Sequence, residues 1–127
     1  VVNFANGDMV GHTGDREACI KAAHAVDHCL EQIMGAIHWG GDVSVIITAD
    51  HGNFEEMKFA DGGQSTQHSM NDVPVVLVSE PRRDLKQPEE AGDSGREGWS
   101  LCDIAPTIME LLDQDLPASW NGASLLK

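Results

Sequence analysis

A chain of 127 residues has the size of one domain and can bury roughly two thirds of its unfolded surface. Its hydrophobic fraction of 41% excludes wholesale disorder, and 21 acidic residues against 8 basic ones give a formal charge of -13. Such a surface repels nucleic acid and anionic membrane, so neither is expected as a partner.

Cys19, Cys29 and Cys102 are an odd number without CxxC spacing, and they read as reduced, partly buried thiols rather than a disulfide framework. No charged and apolar leader opens the chain and no apolar run approaches a bilayer span, so a cytoplasmic location is expected. The opening "VVNF" reads as the end of a strand, which suggests a piece of something longer.

In chain order, Val1 to Phe4 is a short β-branched start, and "ANGDMVGHTG" reads as a glycine-rich loop. A helix is predicted from about Asp15, capped by Thr13 or Asp15, with Asp15 and Glu17 at the positive end of its dipole. Val26, Leu30, Ile33 and Ile37 mark its buried face, extended by Ala22 and Ala23, and Gly40-Gly41 stops it. His24 and His28 then face solvent, and His38 reads as a cation complementing the C-terminal dipole or as a loop residue. "VSVII", within Asp42 to Thr48, is a continuous β-branched run of the kind strands show when covered on both faces. A polar loop runs from Asp50 to about Asp72, followed by a strand at Val73 to Val78 with Pro74 at its entry. Glu80 to Gly98 reads as a charged surface loop. Asp103 to Leu112 reads as a helix with Pro106 in its first turn, and a packed tail ends the chain. This order predicts an α/β domain, a mostly parallel sheet with flanking helices.

In such sheets functional groups gather beyond the carboxyl ends of strands. Asp50 and His51 sit at one such end, Asp8 and His12 follow the first strand, and His68 precedes the third. Two carboxylates and three imidazoles on strand-bounding loops suit a hard-to-borderline divalent metal such as Mn²⁺ or Zn²⁺. Neighbouring side chains normally point apart, and Gly52 is expected to provide the turn that lets Asp50 and His51 serve one ion or two adjacent ions. Read singly, Asp50-His51 is more usually a turn plus a cap, Asp8 with His12 a pair of helix-surface neighbours, and His68 alone says almost nothing; the case for a metal rests on the three together. The cysteines, Met9 and Met57 read as packing.

Four motifs, "NFANGDMVGHTGD", "IITADHGNFEEM", "QHSMNDVP" and "LCDIAPTIMELL…LPASWNGASLL", resemble in order the C-terminal part of cofactor-independent (2,3-bisphosphoglycerate-independent) phosphoglycerate mutase. That family is alkaline-phosphatase-like, and the resemblance covers nearly all of residues 1–127. It implies that this chain is the C-terminal portion of the metal-binding phosphatase domain. It further implies a binuclear manganese site, with Asp8, His12 and His68 on one ion and Asp50 and His51 on the other. Zn²⁺, Co²⁺ or, less well, Mg²⁺ suit the same donors.

The implied activity is an isomerase of glycolysis and gluconeogenesis that interconverts 3- and 2-phosphoglycerate through a phosphoserine. The serine is expected in an upstream segment of the same enzyme chain, which leaves this portion inactive alone. Gly7 stands where the family often has proline, and Ser69 where threonine is common; neither is a ligand. The alternatives are another metal-dependent phosphatase or phosphomutase of the superfamily, or a non-catalytic metal-binding domain.

Overall fold

Asp15 opens the longest element. It takes an extended conformation and its carboxylate accepts the Ala18 N–H at 3.0 Å, which starts a helix over Arg16–Ala36 (α2). A computed structural model of the chain describes residues 1–37, 43–87 and 98–127. The predicted helix stop at Gly40-Gly41, the role of His38 and residues 88–97 of the charged loop lie outside the described residues. The chain divides into two units, Val1–His38 with Thr48–Val75, and Trp39–Ile47 with Val76–Lys127.

In the first unit, the glycine-rich stretch expected to be a loop forms a short helix over Asn6–Gly11 (α1), packed on α2. Two glycines in six residues disfavour a helix intrinsically, so packing supplies the stability. Gly7 lies against the Phe54 ring, and Gly11 is buried so closely against the Asn53 side chain that a Cβ there would overlap it. With the glycines turned inward, Met9, expected to pack, is exposed. Gly14 adopts a left-handed φ of 67° between the two helices, and Gln64 Nε2 donates to its carbonyl at 2.8 Å. On α2, Cys19 and Ala22 are buried, Val26, Leu30, Ile33 and Ile37 are half-buried, and His24, His28 and Ala23 are exposed. The loop after Thr48 is organised by antiparallel bridges, Gly52 with Ser69 and Lys58 with Gln64.

Ser44–Thr48 (β1) and Val75–Ser79 (β2) pair in a two-stranded sheet. Pro74 immediately precedes β2, where its missing N–H interrupts no ladder. Expected to be covered on both faces, β1 is instead half-buried at its centre and exposed at both ends, because two strands provide little cover. Val1–Phe4, expected to be strand, pairs with no strand among the described residues; Val1 and Val2 are exposed.

The second unit also holds a 3-10 turn, Leu101–Asp103, running into a helix over Ile104–Leu111 (α3). Pro106 falls in the first turn of α3 and is buried with Thr107. Leu125 and Leu126 of the tail are buried, and Leu126 bridges Leu85. No helix among the described residues is long and apolar enough to cross a membrane.

Candidate metal centre

All five candidate side chains lie in the first unit, supplied by three segments. α1 carries Asp8, and its capping residue is His12; the two are one helical turn apart, so both side chains lie on one face. Asp50 and His51 leave the end of β1, and His68 lies in the return segment that pairs with Gly52 through Ser69.

The three imidazoles converge on a single oxygen. His68 Nε2 stands 3.0 Å, His12 Nε2 3.1 Å and His51 Nε2 3.9 Å from Asp8 Oδ1. Asn53 Nδ2 donates to the same oxygen at 2.9 Å. The His51 and His68 rings stack with centroids 3.6 Å apart, and those of His12 and His68 are 5.1 Å apart. One carboxylate oxygen has two lone pairs and cannot satisfy four nitrogens well. Burial works against the charge on Asp8. The hydrogen bonds from Asn53 and His68, and the positive charge of His12 and His68 when those rings are protonated, outweigh it and hold the carboxyl below its usual range.

Backbone carbonyls orient two of the rings. His12 Nδ1 lies 2.6 Å from Thr66 O and His51 Nδ1 3.2 Å from Gly52 O. A carbonyl accepts only, so each Nδ1 carries hydrogen, and in the neutral ring Nε2 presents its lone pair inward. Lone pairs of His12 and Asp8 then face one another at 3.1 Å, an arrangement that a shared proton or a cation between them relieves.

The donor set fits a divalent ion. One carboxylate and two imidazoles, from Asp8, His12 and His68, offer ligand atoms all within 4.8 Å of one another. An octahedral ion with bonds of about 2.1 Å sets adjacent donors about 3 Å apart, close to the distances at Asp8. Asp50 stands to one side of this set: its Oδ2 is 3.6 Å from His51 Nε2, and its side chain is 86% exposed. Gly52, expected to provide the turn beside this pair, has no left-handed φ. It is buried, and any Cβ would overlap Ser69 Oγ and Glu55 Oε1, so close approach is what requires glycine there.

Reasoning on the sequence passed over Asn53 and Glu55. Asn53 is buried, and its main-chain N–H donates to Glu55 Oε2 at 2.6 Å. Glu55 Oε1 accepts from Ser69 Oγ, and from Asn71 Nδ2 at 3.2 Å. Burial pushes the Glu55 carboxyl up. The Ser69 hydroxyl, the N–H groups of Asn53 and Glu55 and the Asn71 amide pull it down further, to about 2. A run of "NFEE" after a metal-type Asp-His pair is the one local sign of this brace.

Comparison with known proteins accords with this chemistry. The metalloenzyme superfamily matches residues 1–116. The chain is 46% identical over 129 residues to the 2,3-bisphosphoglycerate-independent phosphoglycerate mutase of Prochlorococcus marinus subsp. pastoris, covering all of this chain and 23% of that protein. It is equally 46% identical, over 127 residues and 23% of the relative, to the enzyme of that name from Syntrophotalea carbinolica. Among solved structures it is similar to Leishmania mexicana phosphoglycerate mutase at low cobalt concentration, with a TM-score of 0.78 and 31% identity over 98% of this chain and 24% of that one. The chain thus spans about a quarter of the length of the relatives it matches. Its α/β architecture is that of a partial, alkaline-phosphatase-like domain, and by sequence and by fold the chain belongs to the metalloenzyme superfamily.

Proposed function

We propose that this chain is the metal-ligating portion of a cofactor-independent phosphoglycerate mutase, an isomerase that interconverts 3- and 2-phosphoglycerate. Asp8, His12 and His68 ligate one divalent ion, and Asp50 with His51 contribute to a second. Manganese is the proposed ion, and the same carboxylate and imidazole donors accept Zn²⁺, Co²⁺ or Mg²⁺. The observation that carries the reading is the convergence of three Nε2 atoms on Asp8 Oδ1. The likeness to named mutases over the whole chain narrows the reaction.

When bound, the ions supply positive charge that offsets charge building on the phosphoryl oxygens. The residues of this chain do the holding. The Thr66 and Gly52 carbonyls fix the tautomers of His12 and His51, and Asp8 remains a carboxylate throughout the neutral range. On this reading the attacking serine and most of the cationic grip on phosphoglycerate belong to the remainder of the same enzyme chain, in the cytoplasm. Isothermal titration with Mn²⁺ tests the reading: binding is expected in the parent chain and is lost in His12→Ala and His68→Ala. Unchanged Mn²⁺ binding in both variants refutes the ligand assignment.

A further inference from the structure

Asn53 is 7% exposed, and its amide reaches Asp8 twice, with Nδ2 at 2.9 Å from Oδ1 and 3.4 Å from the main-chain carbonyl oxygen. Both facing atoms are acceptors, so the NH₂ group and not Oδ1 points at Asp8. Oδ1 backs onto Gly11, where even a methyl group would overlap it. The Asn53 main chain is tied in turn to Glu55, which also holds Ser69, the neighbour of His68. One side chain therefore spans from the braced loop to both the carboxylate and the backbone of Asp8.

We infer that Asn53 is a positioning residue that locks the Asp8 side chain in its ligating rotamer, with Gly11 providing the space in which the amide sits. The inference rests on the metal reading of Asp8, His12 and His68 given above. The imidazole nitrogens that approach Asp8 Oδ1 are themselves ligand candidates. An amide NH₂ has no lone pair to give a cation, and so its contribution is orientation alone. A carboxylate on a short surface helix has two free torsions, and tying Oδ1 and the carbonyl of one residue to a single donor removes that freedom before any ion arrives.

The test is Co²⁺ titration of the full chain, followed by calorimetry and by the visible d–d absorption of the bound ion. Asn53→Leu keeps the branched shape and removes the donor, and Gly11→Ala keeps Asn53 but displaces its amide. Both are expected to weaken Co²⁺ binding by about 10- to 100-fold, the usual effect of losing a group that orients a ligand, and to alter the d–d band. Ala22→Gly, on the buried face of α2, is expected to lower the melting temperature of the metal-free chain and leave the Kd and the band unchanged. That control separates positioning from general destabilisation. A folded Asn53→Leu variant with parental Kd and spectrum overturns the inference. Should Asn53→Leu fail to fold, parental Kd and spectrum in Gly11→Ala do the same. A parent chain that binds no Co²⁺ overturns the metal reading beneath it.

Discussion

Asp8 and Asp103 are both carboxylates that gather donors, but the donors differ in kind. Asp103 is 3% exposed and accepts main-chain N–H groups, from Ser100 at 2.8 Å and from Ala123 at 2.9 Å. Those donors cannot leave without unfolding the turn before α3 or releasing the tail. Asp8 is partly exposed and faces side-chain nitrogens, most of them imidazoles that can exchange a proton for a metal. A carboxylate that collects backbone N–H groups fastens the fold. One that collects imidazoles keeps an exchangeable centre. The first unit is built around the exchangeable kind and the second around the fastening kind.

The largest expected effect breaks the comparison at Asp8. Asp8→Ala removes the atom on which all the imidazoles converge, and Mn²⁺ affinity should fall by at least about 100-fold, beyond the range seen for groups outside the ligand set. Calorimetry measures this directly, and retained affinity would place the ion elsewhere. At Asp103 the change is in stability instead. Asp103→Ala leaves two main-chain donors without their acceptor and should cost about 3 kcal/mol, as hydrogen bonds to a charged group do. That corresponds to a fall of roughly 10 °C in melting temperature. Mn²⁺ binding measured well below the melting point should be unchanged. If both aspartates altered both properties, the division between fastening and exchangeable carboxylates would fail.

A finer probe of the fastening kind is Thr107, which is 1% exposed. Its hydroxyl donates to Asp103 O at 2.6 Å and accepts from Leu125 N at 2.9 Å, tying α3 to the tail. Thr107→Val keeps the shape and strands the Leu125 N–H, with an expected loss of about 1 to 2 kcal/mol in denaturant unfolding.

The same contrast explains what was legible beforehand. The helix over Arg16–Ala36 and its Asp15 cap follow from local spacing, and Asp50-His51 is visible as a polar pair at the end of an apolar run. The helical state of Asn6–Gly11 was not legible, because its glycines serve contacts with Phe54 and Asn53, more than 40 positions away. Asn53 and Asp103 were passed over for the same reason: single polar residues announce nothing until a distant partner is placed beside them. Ala123, which completes Asp103, lies 20 residues further on, and Asp8 lies 45 residues before Asn53. Periodicity reports the face an element buries, whereas convergence on one oxygen is a property of the tertiary fold.

Glu55 stands between the two kinds of carboxylate, since it accepts both a main-chain N–H and side-chain donors while remaining exposed. Its pKa in the folded chain is about 2, against an ordinary 4.5. A depressed carboxylate pKa stabilises the fold at pH values above the unfolded pKa. That contribution is lost as pH falls from 4.5 towards about 2. Solvent screening of an exposed group limits it to about 1 kcal/mol. Glu55→Gln should therefore be less stable than the parent by about that amount near neutral pH, with the gap closing through this acid window. Urea unfolding at a series of pH values reads the gap. A gap that stays constant with pH would show that Glu55 braces the loop through its shape and not its charge, and would align it with Thr107 instead of Asp103.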